Sequence, residues 1–246
     1  MSEFSTDPIC NEVASSGDTL NEQAYQRVRT ALVEGAFAPG DRLSIRRVAT
    51  ALGVSPMPVR TALRRLAAEQ ALDLTPSGSA VVPRLTRSAF AELGAIRAEL
   101  EPLALRMAAP RLMAETLDLL ETKLKEHIQA RERVDPEAVL RADRDFLFIA
   151  YRASEAPILL QFIETLWLRR GPVFWEARWS LLSHGGVRHH HREILQALRG
   201  GAIEAAVQAL RQEITGATAF LLEHLQFANG PQSRTGLSTL LPVRQG

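Results

Sequence analysis

The chain has 246 residues, 46% of them hydrophobic, and a formal net charge of +1. That length holds two modest domains, each with its own core. No apolar run is long enough to span a bilayer. The opening residues lack the basic start and apolar stretch of a secretion signal, so a cytoplasmic protein with no membrane partner is expected. The single cysteine, Cys10, excludes an intrachain disulfide and a Cys-based zinc site.

In chain order, residues 1–18 are small, polar and aperiodic, and read as a disordered N-terminal segment. Thr19 and Glu22 have capping-box spacing and open a helix carrying Tyr25, Val28, Leu32 and Val33, which stops near Gly35. Residues 37–41 read as a turn. Ser44 to Leu66 then reads as two short helices around Gly53. Ser44 caps the first, with Ile45, Val48, Ala49 and Leu52 at helical spacing. Gly53 suits the left-handed turn. Ser55 and Pro56 start the second helix, whose inner face is Val59, Ala62, Leu63 and Leu66. Arg60, Arg64 and Arg65 lie off that face. Leu72–Thr75 and Ala80–Pro83 read as two strands around Pro76-Ser77-Gly78-Ser79.

A helix, a helix-turn-helix and a small β-hairpin make a winged helix, a fold that places its second helix in the major groove. Charge supports this. Between Asn21 and Arg87 ten arginines face five acids, a net +5, so the remainder is acidic. A basic module on an otherwise acidic chain points to a polyanion partner for that module.

The rest reads as six successive helices, hence an all-α bundle. The first starts at Thr86 or Ser88, with Phe90, Leu93, Ile96, Leu100, Leu103 and Met107 on one stripe and a kink expected at Pro102. The second runs from Leu112 to about Arg133. Asp135-Pro136-Glu137 starts the third. The fourth begins at Pro157 and is interrupted at Gly171-Pro172. The fifth runs from His184 to Arg199, and the sixth from Ala202 to about Gln226. Residues 229–246 read as a flexible tail. The expected domains are therefore a winged helix over 19–85 and a helical bundle over 86–228.

This order of motifs resembles the GntR family of bacterial transcription regulators, in the subgroup with a helical FCD effector domain that includes fatty-acid and vanillate regulators. The carrying residues are Pro39-Gly40, Leu43, Arg46, Leu52-Gly-Val-Ser55, Pro58-Val-Arg60, Ala62-Leu-Arg-Arg-Leu66 and Gly78. In the bundle they are Arg97, Leu100-Glu101, Asp143, Phe146, His191, Ile194-Leu195 and Ala197-Leu198. The resemblance covers about residues 20–227. It implies DNA contacts by Arg46, Arg47, Ser55, Met57, Pro58, Arg60 and Arg64, with Ser77 and Gly78 in the wing. Ser55-Pro56-Met57-Pro58 stands where the family commonly has Ser-Arg-Thr-Pro, so base preference does not transfer.

The resemblance also implies a two-fold dimer on a short palindromic operator, an effector domain that takes a small carboxylate, and no enzymatic activity. Many FCD domains hold a divalent metal (Zn, Ni or Mn) with an Asp, a His four residues later, and two His from the last two helices. Those positions are Asp143, Leu147, His191 and Glu213 here. Asp143, His191 and Glu213 thus remain as metal ligands. The other reading is a metal-free cavity in which His191 bonds Asp143 or the effector. Arg97, Trp175 and Arg178 complete the expected effector site, Arg97 foremost. Of the run His189-His190-His191, helical geometry admits only one or two inward-facing rings. The alternative function is a helical metal-dependent enzyme with a DNA-binding-like appendage.

Overall fold

The computed structural model describes residues 16–76, 79–183 and 189–228. The expected segments 1–15 and 229–246, the wing residues Ser77 and Gly78, and His184 lie outside the described residues. The N-terminal part comprises α1 (Ser16–Val33), β1 (Arg42–Leu43), α2 (Ile45–Leu52), α3 (Pro56–Ala68), β2 (Asp73–Leu74) and β3 (Ala80–Val81). The helical part comprises α4 (Arg87–Ala108), α5 (Ala114–Glu132), α6 (Pro136–Arg152), α7 (Pro157–Ser183), α8 (His191–Arg199) and α9 (Ile203–His224).

Local chemistry explains several helix ends. Ser44 caps α2 by accepting from the Arg47 N–H, and Gly53 closes it with φ 68°. Thr86 caps α4 through the Ala89 N–H, and Asp135 caps α6 through the Ala138 N–H. By contrast, α1 starts at Ser16, so Thr19 lies inside it and residues 16–18 are helical rather than irregular. The Glu22 carboxylate, expected to cap, instead accepts from Gln26 (2.6 Å) and Arg65 (2.7 Å).

The sheet has three strands in the order β1-β3-β2, all antiparallel, with Leu43 opposite Ala80 and Leu74 opposite Ala80 on the other side. The first strand was not expected, because two residues are too few to show an alternating pattern. The sheet closes the N-terminal core, in which Tyr25, Val28 and Leu32 of α1 meet Ala49, Val59, Leu63 and Leu66.

Two helices depart from expectation. On α4 the buried face is Phe90, Leu93, Arg97, Ala98, Glu101, Leu105 and Ala108. Ile96, Leu103 and Met107 of the expected stripe are exposed, so α4 carries apolar side chains on both sides. Helix α7 runs unbroken through Gly171-Pro172. An interior proline removes a ladder bond and costs about 3 kcal/mol in isolation, but tertiary packing outweighs it here. Gly171 and Pro172 are buried, and Leu168, one turn earlier, enters the N-terminal core.

The same stretch fixes how the two parts meet. A Cβ at Gly171 would sit 1.9 Å from the Leu32 carbonyl oxygen, so the α7 and α1 backbones touch where only glycine fits. Arg29 pairs with Glu164 at 2.8 Å, and Arg144 pairs with Glu34 across the same junction.

Gly171→Ala is expected to destabilise the fold by at least about 1–3 kcal/mol, the range for overpacking, because its neighbour is backbone and cannot turn aside. Gly216→Ala, which meets nothing within 4 Å, should instead stabilise by about 0.5–1 kcal/mol. Urea unfolding of both variants checks the contrast.

Candidate functional site

The N-terminal part presents one basic face. Val59, Ala62, Leu63 and Leu66 anchor α3 in the core. That leaves Met57, Arg60, Thr61 and Arg64 exposed on its outer side, with Arg46 and Arg47 of α2 exposed beside them. Among the described residues, none of these four arginine side chains has an ion-pair or hydrogen-bond partner. Arg65 behaves differently. It pairs with Glu22 and Glu69 and lies 3.6 Å over the Tyr25 ring, which ties α3 to α1. Pro58 is buried, so it packs rather than reads. Ser55 is exposed and makes no side-chain cap. Beside the expected wing, Thr75 Oγ1 accepts from the Ser79 N–H at 3.1 Å.

The helical part encloses charge. Asp143 of α6, His189 before α8, His191 of α8 and Glu213 of α9 bring ligand atoms within 4.8 Å of one another. His191 Nε2 lies 3.3 Å from Asp143 Oδ1 and 3.1 Å from Glu213 Oε1. His189 Nδ1 lies 4.0 Å and 3.8 Å from the same two oxygens. Glu213 also accepts the His190 N–H at the start of α8 through its other oxygen. Burial opposes the charge on His191, but Glu213 and Asp143 outweigh it and hold the ring's pKa up to about 10. Burial likewise opposes the Asp143 carboxylate, yet His191 and Arg170 keep it below the ordinary range.

Next to this cluster is a cavity of about 40 Å³, room for a few waters or a hydrated ion. Its walls are mostly apolar, with Val139, Leu140, Leu147, Phe174 and Ile214, and its cations are Arg97, Arg170 and Arg178. Arg170 is sandwiched between Trp167 (3.6 Å) and Phe174 (3.9 Å) and touches Asp143 at 3.4 Å. Its Nε is buried without a partner. Burial and the nearby Arg97 charge depress its pKa to about 10, leaving it a cation at neutral pH.

Arg97 is committed elsewhere. It grips Glu101 at 2.6 and 3.3 Å, and Glu101 also accepts from Tyr151 (2.7 Å) and Trp167 (2.9 Å). This fully buried network braces α4, α6 and α7. Arg97 therefore reaches the cavity wall with its fork already engaged. Trp175 lies outside the cavity lining. Its backbone abuts Gly35 at the junction, and Arg178 covers its ring at 3.9 Å.

The comparisons with known proteins agree with this geometry. The family model for gntR-family bacterial regulatory proteins matches residues 20–82, and the FCD domain model matches residues 92–216. The HTH-type transcriptional regulator McbR of Escherichia coli is 36% identical over 154 residues, 63% of this chain and 70% of that protein. The chain belongs to the GntR family, with an FCD domain. The solved structure of E. coli McbR/YncC superposes with TM-score 0.78 at 31% identity, covering 83% of this chain and 97% of that one. The E. coli transcriptional repressor RspR is 25% identical over 199 residues, 80% of this chain and 87% of that protein. This GntR-family chain is thus a helix-turn-helix transcription regulator with an effector-binding domain. No helix among its described residues is long and apolar enough to cross a membrane.

The structure brings Asp143, Leu147, His191 and Glu213 to one place, as the motif spacing implied. Sequence reasoning missed Arg170 and His127, and left His189 undecided. Trp167 and Phe174, three residues before and four after Arg170, were the available signal for that arginine.

Glu101→Ala is expected to destabilise the fold by about 3–5 kcal/mol, because it strands a buried guanidinium. Thermal or chemical unfolding checks it.

Proposed function

We propose that this chain is a cytoplasmic, dimeric repressor whose effector domain (residues 86–228) senses a small carboxylic acid and controls a winged-helix DNA-binding domain (residues 19–85). The observation that carries this reading is the pairing of two surfaces. Four unpaired arginines, Arg46, Arg47, Arg60 and Arg64, face outward at one end. A buried polar cluster beside an apolar cavity lies at the other, and α7 is in contact with both parts.

The arginines suit double-stranded DNA, because a guanidinium can bond guanine O6 and N7 together or grip a phosphate. Met57 offers an apolar contact to a thymine methyl. Ile96, Leu103 and Met107, exposed along α4, support pairing with a second copy. A two-fold pair would read a short palindrome.

An effector carboxylate would pair with Arg170 and Arg178, and its apolar body would lie against Leu147, Val139 and Phe174. The free volume of about 40 Å³ is too small for such a molecule, so the walls must move to admit it. That supplies the differential affinity between two states that a switch requires. Asp143 in the cluster adjoins Arg144, which pairs with Glu34, the residue just past the end of α1. Arg170 adjoins Gly171, which touches Leu32 of α1. Movement at the site would reach the DNA-binding domain along both routes.

A divalent metal fits the site. The donor set mixes imidazole and carboxylate, the groups converge, and the buried imidazole nitrogens of His191 have no hydrogen bond of good geometry. Asp143, His191 and Glu213 would hold it, and it would supply a positive centre for the effector carboxylate. In this reading the site binds and does not catalyse.

Arg60→Ala should weaken operator binding by about 1–3 kcal/mol. A low-salt gel shift showing equal binding by variant and wild type would remove Arg60 from the reading surface. Arg144→Ala should keep operator affinity while blunting its response to effector. An unchanged response would close that route.

A further inference from the structure

Resting on the metal reading above, this inference specifies the ion. We infer that His189 ligates the metal through Nδ1, that His127 positions the His189 ring, and that this centre, with two imidazoles beside its two carboxylates, selects a late first-row divalent ion over a hard one. Zn²⁺, Ni²⁺ and Co²⁺ belong to the first class, and Mg²⁺, Ca²⁺ and Mn²⁺ to the second.

The distances fit a shared ion better than direct pairing. His189 Nδ1 and His191 Nε2 both face Asp143 Oδ1 and Glu213 Oε1, at separations of 3.1, 3.3, 3.8 and 4.0 Å. Metal bonds of about 2.0–2.2 Å put neighbouring ligand atoms roughly 3.0–3.6 Å apart and opposite ones roughly 4.0–4.4 Å apart. A single N–H on His191 cannot serve both carboxylates well. Both ring nitrogens of His189 and of His191 are buried with no hydrogen bond. Four such orphans in one place are costly unless an ion takes two of them.

With His191 alone, one nitrogen and two carboxylates would favour a hard ion. A second imidazole moves the preference toward ions that bind nitrogen well.

His127 accounts for one of the remaining orphans, His189 Nε2. It lies on α5, 2% exposed, with Nε2 buried and unpartnered. Its ring centroid is 4.6 Å from that of His189 and 5.1 Å from that of His191, edge-on to both. A neutral imidazole has one nitrogen lone pair, and a ring this buried with no carboxylate partner of its own among the described residues favours the neutral form, so Nε2 can accept. A ligating histidine normally donates its second ring N–H to an acceptor that fixes the ring. When His189 Nδ1 binds the ion, Nε2–H is the group that needs such an acceptor, and His127 is next to it. His127 itself is outside the group of convergent ligand atoms, so it positions rather than ligates.

The test titrates full-length protein, purified without metal-affinity resin and stripped by chelator, with the chloride salts of Zn²⁺, Ni²⁺, Co²⁺, Mn²⁺ and Mg²⁺. The late ions should bind at least about 100-fold more tightly than Mn²⁺ or Mg²⁺. His189→Ala and His189→Gln should lower Co²⁺ affinity at least about tenfold and alter the Co²⁺ visible absorption, with the helical circular dichroism retained. His127→Leu should lose about 10–100-fold, and His127→Gln, which restores an acceptor oxygen, should recover most of that. Unchanged Co²⁺ affinity and spectrum in both His189 variants would overturn the ligand. Equal loss in both His127 variants would overturn its positioning role, and equal affinity for Mn²⁺ and Zn²⁺ would overturn the selectivity. If wild type binds none of these ions, the metal reading itself falls, a result distinct from the others.

Discussion

The backbone contact between Gly171 and Leu32 is the constraint on which the rest of the architecture turns. Helix α7 crosses α1 so closely that no side chain fits between them. Leu168, one turn before the crossing, packs in the core of the N-terminal part, and Arg170, one residue before it, lines the buried cavity of the helical part. One helix therefore belongs to two cores. A rigid element shared in this way cannot shift at one end without loading the other, which is the physical requirement for coupling two sites. The proline that follows Gly171 makes sense in this setting. It removes one ladder bond at a point where tertiary packing already holds the helix straight.

The helical part contains two buried polar clusters that obey opposite rules. Around Glu101, every strong group is answered: the Arg97 fork, the Tyr151 hydroxyl and the Trp167 N–H all converge on one carboxylate. A satisfied network of this kind rigidifies and specifies the packing of the helices that contribute to it. Around Asp143 and Glu213 the opposite holds. Charges are close, but several imidazole nitrogens and the Arg170 Nε have no partner. Burying such groups without partners is unfavourable. The first cluster has the character of a brace, and the second that of a site completed by something else. Arg97 matched a family motif and lines the cavity with its fork already on Glu101, while Arg170, with no motif to flag it, lines the same cavity.

Much of the fold was legible because local signals agree with it. Caps at Ser44, Thr86 and Asp135, the glycine turn at Gly53 and the apolar periodicity of α3 each have one physical solution, and the structure adopts it. The failures share a cause. Gly171-Pro172 reads locally as a break, and only the approach of α1, more than a hundred residues earlier in sequence, makes it part of a helix. The six apolar residues of α4 read as one stripe, but a sequence pattern does not distinguish burial in the chain's own core from apolar exposure, and Ile96, Leu103 and Met107 are exposed. In the site, the three-histidine run was judged by helical splay of about 100° per residue. Helix α8 begins only at His191. His189 precedes it on irregular backbone, so it can face the same carboxylates as His191.

The reading edge shows how small a lexicon this regulator has at the start of its recognition helix. Pro58 is buried and Ser55 leaves the helix end uncapped, so the exposed side chains in the first turn of α3 are Pro56 and Met57, both apolar. The Thr61 hydroxyl, one turn on, is engaged with the Met57 carbonyl at 3.3 Å. In the proposed reading, polar base contacts by α3 would therefore fall to the exposed Arg60 and Arg64. Arg46 and Arg47, exposed on α2, would add phosphate contacts, which raise affinity without adding sequence information. Each such contact releases counterions, so the balance between two kinds of arginine sets the salt dependence as well as the selectivity. In the proposed reading, a surface built this way would bind duplex broadly and discriminate through few bases. Spacing between the two copies of the proposed dimer would then become the larger part of operator choice.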